Sequence, residues 1–229
     1  MIVCVIRAAA HFHHYLQVGE PAQSPLKLEI RRLKEHYPMV GDMAIQSWVP
    51  SGENVLDGDV AHIDVVADNQ EGPFGINISN FVQTDLHPHV FWFNARSLKI
   101  REYLHCERPI EHLLSIQIHS ELWFQGQDET SPALPGLTSR DGKNRPGSCA
   151  IGYGENRVEP WGFNISPNED RDVHFCKVIA TSAPVDLQPL KQAPPFDGIS
   201  RSGSPWKATA LKWFTRTATV VMQSKKTSY

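Results

Sequence analysis

The feature that most constrains this fold is a succession of short apolar runs separated by Gly, Pro and Asn. From residue 59 the chain contains DVAHIDVVAD, GPFGINISNFV, HVFWFNARSLKIREY, SCAIGYG, PWGFNIS, RDVHFCKVIAT and TALKWFTRTATVVMQ. Alternate residues of the second run, Phe74, Ile76 and Ile78, are large and apolar, as in a strand with one buried face. Many short strands with turn residues between them are typical of a sandwich. We therefore predict a mainly β chain with an antiparallel β-sandwich of the Ig-like or jelly-roll kind.

The N-terminal part has a different pattern. Apolar residues recur there at spacings of three and four, which predicts a helix over residues 2–17: Val5, Ala9, Phe12 and Leu16. The run after Pro25 alternates apolar with charged residues, which favours a strand. We predict that residues 1–57 form an N-terminal helix and an extended connector, and that residues 58–229 form the sandwich domain.

Two stretches interrupt the strand pattern. Residues 104–147 form an atypical insertion whose second half is polar and rich in Gly and Pro, and a loop of that length is unusual inside a compact domain. Residues 184–205 are rich in proline and predict a connector that lies across the surface.

Composition limits the classes of partner and compartment. The formal net charge of −3 gives no general electrostatic reason to bind nucleic acid or an anionic membrane. No apolar run approaches the roughly 20 residues that span a bilayer. Arg7 lies within the first apolar stretch rather than before it, so we expect no signal peptide, a cytoplasmic location and free thiols.

The order of several short motifs resembles the region after the catalytic domain in caspase-like (metacaspase-type) peptidases of mushroom-forming fungi. The matching segments are RAAAHFHHYL at 7–16, Pro50 to Asn54, the run from Phe74 to Ile100, Ile151 to Gly154, Lys177 to Leu187, and Gln192 to Phe196. Between Glu102 and Ser131 the family pattern is short, whereas here residues 103–127 intrude and carry Trp123 and Phe124. Our hypothesis is that this stretch is an insertion or a mispredicted coding segment.

The resemblance implies a non-catalytic chain. Caspase-like chemistry uses a Cys thiolate and a His base. The resemblance implies that a catalytic domain would carry a His-Gly pair and a Cys with an acidic residue two positions before it, and the sequence contains neither. We therefore expect no enzyme activity and no cofactor, and an accessory or protein-interaction module with a caspase-like catalytic domain or another protein as its partner.

The cluster HFHH is a candidate metal site. His11 and His14 share a helix face, His13 points elsewhere, and zinc needs a third or fourth ligand, which His87 and His89 could supply only by folding proximity. We predict packing histidines and no metal. We also predict buried thiols at Cys149 and Cys176, and turn or close-approach roles for the glycines around Tyr153.

The expected interaction surface comprises the apolar helix and an outward aromatic ring, with Phe12, His13, Tyr15 and Trp92 as its residues. In β-strand geometry Phe91 and Phe93 should face the core while Trp92 faces outward. Two alternatives remain at this stage: a carbohydrate- or lipid-binding sandwich that acts alone, and a truncated gene product without function.

Overall fold

Strands make up most of the regular structure. The computed structural model describes residues 2–19, 24–40, 42–65, 73–82, 84–104, 147–153, 160–166, 168–195 and 212–225. The elements are α1 (Ile2–Gln17), β1 (Leu26–His36), β2 (Met39–Val40), β3 (Met43–Ala44), β4 (Ser47–Asn54), β5 (Leu56–Asp57), β6 (Val60–Val65), β7 (Phe74–Asn80), β8 (His87–Asn94), β9 (Lys99–Leu104), β10 (Gly147–Ile151), β11 (Arg171–Thr181), a 3-10 helix (Gln188–Leu190) and β12 (Trp213–Ser224).

The strands form two main sheets. The smaller sheet has the order β10-β7-β1-β4 and the larger has the order β5-β6-β12-β11-β8-β9, while β2 pairs with β3 in a separate hairpin. Within the described residues every ladder is antiparallel except that of β6 and β12, which is parallel. The predicted mainly β sandwich with an N-terminal helix is confirmed.

The smaller sheet moves the predicted domain boundary. Strands β1 and β4 lie before residue 58 and supply two of its four strands. β1 pairs with β7 from Leu26 opposite Asn80 to Arg32 opposite Phe74. The sandwich therefore begins at Leu26, so the expectation that residues up to 57 form a connector outside it is corrected.

The main core lies between the two sheets. Each strand contributes alternate apolar residues to it because successive side chains point to opposite faces. The smaller sheet contributes Leu26, Leu28, Ile30, Ile76 and Ile78, and the larger sheet contributes Val90, Cys176, Val178, Ala218 and Val220.

The outer face of the larger sheet is covered as well. Its apolar residues form a second cluster with the helix and the segment around the 3-10 helix: Phe12, Phe91, Phe93, Ile100, Ile179, Leu187 and Leu190. Leu187 and Leu190 are each 2% exposed, so this part of the predicted surface connector is anchored in the core. The larger sheet is thus a middle layer, between α1 on one side and the smaller sheet on the other.

Other predicted segments had mixed outcomes. The hairpin across Asn94 to Lys99 is confirmed as β8 and β9. The segment PWGFNIS is not a strand, since Trp161 makes an isolated bridge to Phe74 and the described residues after it are irregular. The greater part of the predicted insertion, residues 105–146 with Trp123 and Phe124, lies outside the described residues, as do residues 196–205 of the connector.

A buried lysine attaches the helix to the sheet. Lys177, in the middle of β11, is fully buried and donates hydrogen bonds to the carbonyl oxygens of Leu16 (2.6 Å) and Val18 (2.8 Å). The last carbonyls of a helix have no partner within the helix and carry the negative end of its dipole. The Lys177 ammonium therefore provides hydrogen-bond donors for carbonyl oxygens at the end of α1. Those carbonyls in turn provide the acceptors that a buried cation requires.

We expect Lys177→Met to lower the free energy of unfolding by about 3 kcal/mol, because it removes charge-assisted hydrogen bonds and leaves buried carbonyls unpaired. Urea denaturation at pH 7 measures the change. Lys225→Met is the matched control: Lys225 is 60% exposed and pairs with Asp64, and its loss should cost no more than about 1 kcal/mol. Equal effects of the two substitutions would contradict the role assigned to Lys177.

Candidate interaction surface

One face of α1 packs on the larger sheet. Phe12 is 1% exposed, with its ring centroid 5.3 Å from that of Phe93 and 6.5 Å from that of Phe175, both in edge-on geometry. Ala8, one turn earlier, is also buried. Residues four apart lie on the same side of a helix, so this pair defines the inner face.

Polar contacts hold the helix from Ala8 to its C-terminal end. Gln192 donates through Nε2 to the carbonyl oxygens of Ala8 (3.1 Å) and Leu98 (2.6 Å), which joins α1 to the β8–β9 turn. His11 Nε2 lies 3.2 Å from the carbonyl oxygen of Leu190. With Lys177 at the C-terminal end, these contacts fix which face of α1 points away from the sheet.

The outward face of the N-terminal half of α1 is apolar. Ile2, Val3 and Ile6 are 74%, 59% and 61% exposed, and their spacing places them on one side of the helix. We call these three residues the apolar stripe. Solvent exposure of adjacent large aliphatic side chains costs free energy that a partner surface would recover, so such patches mark interaction sites.

The predicted helix residues take different positions. His13 is exposed, next to the outward face, and Tyr15 is half-buried beside the rings of His11 and His14. Phe12 is core, which corrects its assignment to a contact surface: its ring fills the space between α1 and the sheet and is not accessible to a partner.

The prediction that Trp92 faces outward is wrong. Its ring is half-buried and lies against the rings of Trp161 (5.4 Å between centroids) and Phe163 (5.8 Å), on the side of β8 that faces the smaller sheet. Its Nε1 donates to His174 Nδ1 at 2.6 Å. Both faces of β8 are covered, so the alternation in VFWF separates two buried sides rather than a core side from solvent.

A second exposed apolar group lies on the hairpin of β2 and β3. Tyr37, Met39, Met43 and Ile45 are 54%, 65%, 70% and 45% exposed. The hairpin continues the paired strands β1 and β4 beyond the sheet, and Ile45 donates its backbone N–H to the carbonyl oxygen of Pro38. We call β2, β3 and the flanking residues Tyr37 and Ile45 the arm.

The histidines that the structure describes do not converge on one site. His89 is buried and its Nδ1 lies 3.1 Å from Glu102 Oε1, while Lys191 Nζ lies 3.1 Å from Glu102 Oε2. His89 Nε2 is buried with no hydrogen-bond partner among the described residues. In the described part of the chain, no group of three or more His, Cys, Asp or Glu side chains is arranged to hold a metal ion.

The predictions for the thiols and glycines are confirmed where the structure describes them. Cys149 and Cys176 are buried, and burial raises the pKa of the Cys176 thiol, which keeps it protonated and unreactive. Gly152 has a φ of +84°, and a Cβ there would lie 3.3 Å from the carbonyl oxygen of Phe74. Gly75 is approached by Tyr153, whose ring would lie 2.5 Å from a Cβ.

Sequence reasoning expected the helix to be a contact surface but named none of the three residues of the apolar stripe, and it missed the arm and the role of Lys177. The sequence does contain a signal for the stripe, because Val3 and Ile6 lie on the far side of the helix from Phe12. The arm had one as well, since Gly41-Asp42 between MV and MAI is a turn pair flanked by apolar residues. The sequence contains no signal for the role of Lys177, because a single lysine in a strand does not indicate which helix end it will contact.

Comparison of the chain with protein-family models, with curated proteins and with solved structures gives no match. In the described residues no helix combines the length and the apolar character needed to cross a bilayer.

We expect Phe12→Ala to lower the free energy of unfolding by about 3–5 kcal/mol, because it empties a buried aromatic site between α1 and the sheet. His13→Ala, one residue away on the exposed side, should change it by no more than about 0.5 kcal/mol. Thermal and urea unfolding of both variants measure the difference. If Phe12→Ala lowers the free energy of unfolding no more than His13→Ala does, α1 is not docked as described.

Glu102 makes the stability of the folded state depend on pH. Burial raises the pKa of its carboxyl, but the hydrogen bonds from His89 and Lys191 outweigh burial and hold that pKa below its usual value. The carboxylate therefore stabilises the folded state at pH values above the usual pKa of a glutamate side chain, and this contribution is lost as the pH falls through the lowered folded-state pKa.

We expect Glu102→Gln to be less stable than the native chain at pH 7. The difference between their free energies of unfolding should become smaller toward pH 3. Urea denaturation across this pH range measures it. Glu53→Gln, at an exposed position of β4, is the control and should follow the native profile. A gap that stays constant with pH would contradict the assignment.

Proposed function

We propose that this chain is a non-catalytic protein-interaction module and that the apolar stripe of α1 is its contact surface. The observation that carries this proposal is the combination of a firmly docked helix with an apolar outward side. The inner side of α1 is fixed by Phe12 and Lys177, whereas Ile2, Val3 and Ile6 remain in solvent.

The anchoring of α1 on the sheet supports a docking role. A helix held by core packing and by polar contacts loses little conformational entropy when it binds, so more of the free energy of apolar burial appears as affinity. Helices that dock into a groove use apolar residues at three- and four-residue spacing, which is the spacing of Ile2 to Ile6 and of Val3 to Ile6.

The proposed partner follows from the sequence resemblance. In caspase-like peptidases of mushroom-forming fungi the corresponding region comes after the catalytic domain. We propose that the stripe contacts such a catalytic domain, and that the chain regulates or presents the protease without taking part in its chemistry.

The alternative of an aromatic carbohydrate site has less support. A stacking site needs an accessible ring face, and Trp92 packs against Trp161 and Phe163.

We expect Ile6→Gln to weaken binding to the purified catalytic domain of a mushroom-type caspase-like peptidase by about tenfold or more, since one buried aliphatic side chain contributes roughly 1.5–3 kcal/mol. Isothermal titration calorimetry measures the affinity. Gln is a good helix former and position 6 is exposed, so the folded state should keep its stability.

Phe81→Gln is the matched control, because Phe81 is 47% exposed and lies outside both α1 and the arm. It should bind as the native chain does. No binding by the native chain, or equal binding by the Ile6→Gln variant, would refute the proposed contact.

A further inference from the structure

We infer that the arm of one copy of this chain docks on the apolar stripe of a second copy, so that the chain self-associates head to tail. This inference rests on the proposed function in using the same helix face as a contact surface, but it requires no protease. It identifies a second copy as the occupant of that face when no other partner is present.

The first argument is the distribution of exposed apolar side chains. Among the described residues, eight large hydrophobic side chains are exposed. Three form the apolar stripe and four belong to the arm, which leaves Phe81 as the remaining one. Two compact groups of this kind are the feature that distinguishes an interaction surface from scattered surface hydrophobics.

The second argument is position. α1 lies on the outer face of the larger sheet, where Phe12 meets Phe93. The arm continues β1 and β4, which belong to the smaller sheet on the opposite side of the sandwich. The two groups therefore belong to opposite layers of one copy. A contact between an arm and a stripe is then made between two copies rather than within one.

The third argument is charge. α1 contains no Asp or Glu, and its exposed ionisable side chains include Arg7, His13 and His14. Two stripes facing each other would place two copies of Arg7 close together, which disfavours a helix-to-helix dimer.

The arm carries the complementary charge. Asp42 is exposed next to Met43, and Glu35 is exposed at the base of the arm, where its carboxylate accepts hydrogen bonds from the Tyr37 hydroxyl (2.5 Å) and Gln46 Nε2 (3.0 Å). Lys34 and His36 are also exposed on this segment, so it carries two carboxylates against one lysine and one histidine. An apolar arm with carboxylates suits an apolar helix face with an arginine.

The chemistry of the arm suits such a contact. Methionine side chains adapt to irregular surfaces and keep favourable dispersion contacts with aliphatic groups. Seven side chains bury less than the roughly 1,600 Å² of a standard stable interface, so we expect weak association, with a Kd in the micromolar range or above. A contact between unlike patches can extend into chains or close into a ring.

Sedimentation velocity of the full chain over a concentration series tests the inference. The native chain and the Phe81→Gln variant should show a sedimentation coefficient that rises with concentration across roughly 1–100 μM. The Ile6→Gln variant, which impairs the stripe, and the Met43→Gln variant, which impairs the arm, should each sediment as monomers. Unchanged thermal unfolding of both variants would show that the fold is intact.

The deciding sample is an equimolar mixture of the Ile6→Gln and Met43→Gln variants. The first retains an intact arm and the second an intact stripe, so the mixture should form dimers that neither variant forms alone. A mixture that stays monomeric, or single variants that still associate, would overturn the arm-to-stripe contact.

A native chain that is monomeric throughout would overturn self-association altogether. Binding of the catalytic domain by that same monomer would leave the proposed function standing, so the two can fail separately.

Discussion

The contact between Lys177 and the C-terminal end of α1 is the interaction on which the arrangement of the layers depends. A cation at the centre of a strand, with no exposure to water, is costly unless its donors are satisfied. The carbonyl oxygens of Leu16 and Val18 meet that need. The helix end in turn needs donors, because its last carbonyls have none within the helix. Neither group is satisfied unless α1 lies across β11.

This constraint explains the two-sided burial of the larger sheet. With α1 and the 3-10 segment on its outer face, β8 has no solvent side. Phe91 and Phe93 pack beneath the helix, while Trp92 packs toward the smaller sheet. The same covering encloses His89 and Glu102, which pair with each other. Glu102 also pairs with Lys191, and this ion pair links the 3-10 segment to β9. It also leaves the opposite side of α1, with Ile2, Val3 and Ile6, as the surface that the fold itself does not use.

The sequence predicts individual elements better than it predicts their environment. Periodicity locates α1, β1 and the β8–β9 hairpin because each depends on local spacing. It places Trp92 wrongly because alternation distinguishes two faces of a strand without saying that both are covered. The boundary at residue 57 is wrong for a related reason: β1 pairs with β7 between residues 42 to 54 positions apart, and such pairing leaves no local signal. Phe12 shows the difference: its place on the inner face of the helix follows from residue spacing, whereas its burial depends on the sheet beneath.

The interaction surface is harder to predict than the core. An apolar residue in a helix of this kind favours burial by default, and only the orientation fixed by Lys177, Gln192 and Phe12 shows that Ile6 points to solvent. The arm is similar, because Met39 and Met43 would suit a core strand equally well. Their exposure follows from the extension of the hairpin beyond the smaller sheet.

Hydrogen–deuterium exchange of the α1 backbone amides tests the central claim most directly. If Lys177 holds the helix on the sheet, the amides of the last two turns of α1 exchange slowly in the native chain. In the Lys177→Met variant their exchange accelerates, while that of the amides of β7 changes much less. Amides of α1 that exchange in the native chain as fast as an unfolded peptide would show that the helix is not docked, and the fixed outward surface would have no structural basis.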